Sequence, residues 1–232
     1  NAINGEMAQT MEACLDEFEQ DDNLWVGILS AEGPSFCAGA DLKEINAGNG
    51  GALGTKKGGF GGIVSRERTK PLIAAITGSA LAGGCEISLS CDLVVAANET
   101  VFGLPEVKRS LVAAAGGLFR LPRAMGMATA MEMIMTGDPM PAQRAYDLGM
   151  INVVTTQDQV MAEAEKLAER ISANAPLAVQ ASRRVAVRAF KDDDETLWKN
   201  SGKEFGVVAQ TEDFKEGPLA FIEKRAPNWK GK

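Results

Sequence analysis

Three short segments of this 232-residue chain hold the residue types needed for acid/base chemistry beside a polarised carbonyl. The first is Phe36-Cys37-Ala38-Gly39-Ala40-Asp41-Leu42, whose small side chains let backbone N–H groups approach a ligand closely. The second is Ala82-Gly83-Gly84-Cys85-Glu86. A glycine pair that opens a helix presents unpaired N–H donors at the positive end of the helix dipole, a suitable place for a developing oxyanion. The third is Phe102-Gly103-Leu104-Pro105-Glu106, where Pro105 stiffens the chain ahead of a second carboxylate. Glu86 and Glu106 lie 20 residues apart on successive strand–helix units, so one pocket can hold both. Taken singly, each signal has a plainer reading, because a Gly-Gly before a helix is usually a tight turn and a Glu near a helix start is usually a cap.

Composition narrows the chemistry further. The chain has no histidine, which excludes a Ser-His-Asp triad, a Cys-His pair, an HExxH zinc site and an imidazole base. Acid/base work near neutral pH falls to carboxylates, Lys, Cys or the single Tyr146, and carboxylates serve only if their surroundings raise their pKa values. With 24 Lys+Arg against 31 Asp+Glu the net charge is -7, which argues against nucleic acid or an anionic membrane as partner. Cys14, Cys37, Cys85 and Cys91 contain no CxxC pair, so no metal site is expected. They read as small core residues of a protein in a reducing, cytoplasmic setting. No stretch approaches the roughly 20 apolar residues of a membrane span.

The elements that position these segments follow from apolar spacing. Met7, Met11, Cys14, Leu15 and Phe18 predict a helix over 5–20. Short apolar runs predict strands at 24–29, 72–76, 92–97, 101–102 and 151–154, with a helix over 83–91. This alternation predicts an α/β fold with mostly parallel pairing. Helical spacing continues over 115–135, where six of the ten methionines lie between 125 and 140, and over 141–148. It returns at 158–173, 176–190, 194–210 and 213–225. The predicted organisation is an α/β core over 1–155 that carries the site, followed by a helical region over 156–232. Residues 48–62 hold eight glycines and predict a flexible surface loop or a lid over a pocket.

Together and in this order, the segments resemble the crotonase (enoyl-CoA hydratase/isomerase) superfamily. The likeness starts at Asn1-Ala2-Ile3-Asn4 and runs through 36–42, 77–93, 102–107 and 115–121. It ends at Ala220-Phe221-Ile222-Glu223-Lys224-Arg225. The resemblance implies a spiral of ββα units with a C-terminal helical trimerisation region, assembled as a homotrimer or a dimer of trimers. An opening strand pair of the family would precede Asn1.

The implied substrate is an acyl-CoA thioester, and no cofactor is implied, since coenzyme A belongs to the substrate. By position, the backbone N–H groups of Ala40 and Gly83 would grip the thioester oxygen, and Glu86 and Glu106 would hold one water. Ala38, Asp41, Leu42 and Lys43 would run along the CoA moiety. Phe221 and Lys224 would approach the CoA end, often from a neighbouring subunit.

Isomerases of the family generally keep one of the two acids, so the presence of both favours hydration of the 2,3 double bond of an enoyl-CoA. Two departures are visible. Ala113-Ala114 stands where many hydratases carry Pro-Gly, and Ala82 replaces a glycine. The alternatives are therefore enoyl-CoA isomerisation, dehydration of a hydroxyacyl- or carnitinyl-CoA, and a catalytically silent scaffold.

Overall fold

Asn4 accepts a hydrogen bond from the Met7 N–H and so starts the first helix, α1 (Gly5–Gln20), in a computed structural model that describes residues 1–232. After α1 come β1 (Gly27–Leu29), α2 (Leu42–Asn46) and a small hairpin of β2 (Gly54–Thr55) and β3 (Gly59–Phe60). Two strand–strand–helix turns follow. The first is β4 (Leu72–Ile76), β5 (Ser79–Leu81) and α3 (Gly83–Ser90). The second is β6 (Leu93–Ala97), β7 (Val101–Gly103) and α4 (Gly117–Met125). The chain continues through α5 (Met127–Thr136), β8 (Met140–Pro141), α6 (Ala142–Asp147) and β9 (Val153–Thr155). It ends in α7 (Val160–Ser172), α8 (Pro176–Ala186), α9 (Asp194–Val208) and α10 (Glu212–Glu223).

The strands form a spiral rather than one sheet. A parallel four-stranded sheet has the order β1-β4-β6-β9, and a smaller sheet has the order β5-β7-β8. Every residue of β4 is buried, as a central parallel strand covered on both faces requires. Each turn of the chain crosses from the larger sheet to the smaller one and then enters a helix. Because β5 and β7 pair in parallel, with Ala80 opposite Phe102, both leave the small sheet at the same edge. The segments that follow them, Gly83–Glu86 and Pro105–Arg109, are thereby delivered side by side.

Helix α7 covers the opposite face of the large sheet, packing Val160 and Ala164 on Ile73, Ala75, Val95 and Ala97. Lys70 is buried and donates to the carbonyls of Phe18 (2.7 Å) and Asp21 (2.6 Å), closing the C-terminal end of α1. No helix is long and apolar enough to cross a membrane.

Several local expectations are corrected. Strand β5 has only three residues and carries no periodic signal. The helical stretch over 115–135 is two helices, because Gly126 takes φ +86° between α4 and α5. The first strand is confined to Gly27–Leu29. Cys14 is exposed rather than a core residue, whereas Cys37 and Cys85 are buried. The glycine-rich segment 48–62 folds into a helical turn over Gly50–Leu53 and the β2–β3 hairpin rather than an irregular loop. The Glu12 carboxylate of α1 accepts from the Gly58 N–H at 2.8 Å and from the Thr55 hydroxyl, which fixes the hairpin to the helix.

Candidate active site

Two backbone turns meet at the centre of the site. A Cβ added to Gly39 would lie 2.7 Å from the Ala82 Cβ and 3.0 Å from the Gly83 nitrogen, so the two chains pack backbone against backbone. Ile3 donates to the Gly39 carbonyl and accepts from the Asp41 N–H, both at 2.8 Å. This ladder uses the residues on either side of Ala40 and leaves the Ala40 N–H facing the other way. Gly83 is the first residue of α3, so its N–H has no helical acceptor. Ala82 turns the chain into α3 with φ +51°, an unusual conformation for a non-glycine residue, costing on the order of 1–3 kcal/mol. Neither the Ala40 nor the Gly83 N–H donates to any backbone acceptor.

The two carboxylates sit beside these donors. Glu86, on the first turn of α3, is 3% exposed. Its Oε1 accepts the N–H of Gly117 at 2.9 Å. Gly117 opens α4, so its N–H is another helix-start donor. A Cβ there would lie 3.1 Å from Glu86 Oε1 and 2.9 Å from Leu104 Cδ1, which explains the glycine. Burial pushes the Glu86 pKa up to about 7; the nearby Glu106 carboxylate adds to the rise and the Gly117 N–H opposes it.

Glu106 lies on a single 3-10 turn over Pro105–Arg109 and is also buried. Burial raises its pKa, with the Arg109 charge acting in the opposite direction. Its Oε2 is enclosed and has no hydrogen-bond partner. A buried carboxylate oxygen without a donor is costly, and a bound water or ligand group would satisfy it.

Both carboxylates, Ala40 and Gly83 line one cavity of about 1150 Å3. Ala38, Asp41 and Leu42 line it too, with Asp41 also capping α2 through the Lys43 N–H at 2.9 Å. Ala114, within the departure from the hydratase pattern, borders the cavity, while Ala113 is buried behind it. Lys43 is exposed on α2 outside the lining. Phe221, 86% exposed, and Lys224, which ends α10, are also outside it, so within one chain they do not meet the other residues.

Sequence reasoning missed several members of the site. Gly117 carries the same Gly-Gly helix-start signal as Gly83-Gly84, in Gly116-Gly117, and could have been found that way. Arg120 is partly buried and donates to the carbonyls of Val64 (2.5 Å) and Ala115 (3.3 Å), tying the loop before α4 to the cavity wall. Phe60 of the hairpin packs so closely that a Cβ on Gly83 would lie 2.3 Å from its ring. Neither Arg120 nor Phe60 has a local sequence signal, since each contact is long-range.

A sequence model of the family described as enoyl-CoA hydratase/isomerase matches residues 1–232. The chain belongs to this family. Among solved structures similar to this enoyl-CoA hydratase/isomerase family member is the enoyl-CoA hydratase from Mycobacterium tuberculosis H37Rv. It is 43% identical, with a TM-score of 0.95 over 100% of this chain and 90% of that one. The short-chain-enoyl-CoA hydratase of Clostridium acetobutylicum is 38% identical over 97% of this chain and 87% of its own length. The carnitinyl-CoA dehydratase of Proteus mirabilis is 37% identical over 100% of this chain and 91% of its own length. The spiral of strand–strand–helix turns is therefore the crotonase fold, as the sequence resemblance implied.

Proposed function

We propose that the protein is an enoyl-CoA hydratase, a hydro-lyase that adds water across the 2,3 double bond of an enoyl-CoA thioester. The observation that carries this reading is the convergence of two unpaired N–H groups and two buried carboxyl groups on one cavity. The thioester oxygen accepts from Ala40 and Gly83, and these fixed dipoles stabilise the enolate that forms as water attacks C3. Glu86 and Glu106 hold the water between them. One carboxylate takes its proton as the C3–O bond forms, and the other carboxyl group supplies the proton that ends on C2. A carboxyl pKa near 7 suits proton transfer at neutral pH.

Ala38, Asp41 and Leu42 border the path of the CoA moiety. Lys43, Phe221 and Lys224 reach the CoA only at the outer end, the latter two from a neighbouring subunit. That part of the reading goes with a homotrimer or a dimer of trimers. It is supported by the exposed apolar side chains of the last helices, with Trp198 at 78% and Ile222 at 75% exposure. A role in fatty acid metabolism goes with the proposed enoyl-CoA substrate, and a reducing, cytoplasmic setting goes with the four free cysteines.

The test is hydration of crotonyl-CoA, followed as loss of enoyl absorbance. The account expects turnover without added metal or cofactor. A protein that binds the thioester but leaves its absorbance unchanged would be a scaffold, and the proposal would fall.

A further inference from the structure

The two kinds of named relative differ in the charge of the acyl group they handle. A carnitinyl thioester carries a permanent quaternary ammonium on C4, next to the carbon that gains or loses water. A simple enoyl thioester is neutral there. The charged side chains that line the cavity bear on this difference.

Three acids and three bases line it: Asp41, Glu86 and Glu106 against Lys56, Arg109 and Arg120. Asp41 and Glu86 are already hydrogen-bonded, while Glu106 keeps one oxygen without a partner. Asp41 caps α2, and Glu86 and Glu106 are the proposed catalytic pair. Lys56 and Arg109 have neither role. Lys108, next to Arg109, pairs with Asp138 at 2.6 Å, whereas Arg109 forms no ion pair and stands at the cavity edge. Glu106 and Arg109 are three residues apart on one 3-10 turn, where positions i and i+3 eclipse, so both side chains leave on the same side. Arg109 therefore stands beside Glu106, one of the proposed catalytic pair, and its charge acts on that carboxylate.

Aromatic faces offer a cation no alternative seat. Only Phe60 and Phe119 are aromatic in the lining. The Phe119 ring already faces the Arg120 and Arg123 guanidinium groups, at 5.3 Å and 5.2 Å. Phe60 is pressed against Gly83.

We propose that Arg109 is a specificity-determining residue that rejects acyl groups with a positive charge on C4 and admits neutral ones or those ending in a carboxylate. A guanidinium matches a carboxylate by a two-pronged hydrogen bond and repels a quaternary ammonium that has no donor or acceptor to offer. The inference rests on the hydratase reading of the site.

Three thioesters that are identical through C4 test it: crotonyl-CoA, its 4-carboxy derivative and its 4-trimethylammonio derivative. The wild-type protein is expected to show a kcat/KM for the trimethylammonio compound below that for crotonyl-CoA by about tenfold or more, from charge repulsion across a few ångströms. The 4-carboxy compound is expected to match or exceed crotonyl-CoA. Arg109→Gln should shrink the ratio between the two charged substrates by about tenfold, and Arg109→Glu should invert it.

Equal use of all three thioesters by the wild type would overturn the proposal. So would an equal rise in KM for all three in Arg109→Gln, which would assign Arg109 to the CoA phosphates. The rise in melting temperature caused by each thioester gives the same ranking without turnover. A silent protein with the expected ranking would uphold charge selection and sink the hydratase reading alone.

Discussion

The two strand–strand–helix turns of the spiral each deliver one glutamate to the same cavity, yet they hold it differently. In the first turn Glu86 sits on a full helix, and its carboxylate is gripped by the Gly117 N–H at 2.9 Å. In the second, Glu106 rides on a single 3-10 turn, and its Oε2 is enclosed without a donor. Parallel pairing of β5 with β7 explains why the two side chains arrive together. The element that follows each strand explains why one is anchored and the other left to find its partner in a water or substrate. A repeated architecture has thus been finished locally in two ways, giving a fixed carboxylate and a free one around one reacting centre.

The oxyanion donors carry a larger expected effect than the anchor of Glu86. Gly83→Val would drive a side chain into the Phe60 ring, where even a Cβ would lie at 2.3 Å, and displace the N–H at the start of α3. Hydration of crotonyl-CoA is expected to fall by about 10²–10³, the usual cost of one oxyanion donor. A fall confined to melting temperature, with kcat intact, would mean that this N–H does not meet the thioester oxygen.

A smaller and sharper test removes the anchor of Glu86. Gly117→Ala would put a Cβ 3.1 Å from Glu86 Oε1 and push the carboxylate off its donor. An N–H bond favours the ionised form, so its loss raises the Glu86 pKa above about 7. The limb of the pH–rate profile that reports Glu86 should therefore move to higher pH. The rate should fall by about tenfold, the scale of one hydrogen bond to a charged group. An unmoved limb would show that Gly117 does not tune Glu86.

Much of this arrangement was legible in the sequence, for particular reasons. Apolar spacing marked α1 and α7 because each buries one face against the core. The glycine pair at 83–84 marked the donor turn because only glycine tolerates such close backbone approach. Strand β5 was hidden, since Ser79-Ala80-Leu81 is too short to show a period. The order of the hairpin over 54–60 was hidden too, because it depends on Glu12, 46 residues before Gly58. The hold of Gly117 on Glu86 spans 31 residues and leaves a local trace only in its Gly-Gly. Residues that meet through the turns of the spiral are far apart in the chain, and local patterns do not record such meetings.

In the proposed mechanism Glu86 and Glu106 act on one water. The most direct measurement is kcat for crotonyl-CoA hydration in Glu86→Gln, Glu106→Gln and the double variant. Each single change is expected to cost about 10²–10⁴, as loss of an acid/base partner does. Groups that act as a unit are strongly non-additive, so the double variant should be little slower than either single one. Losses that simply multiply, or a single variant with the wild-type rate, would contradict the account.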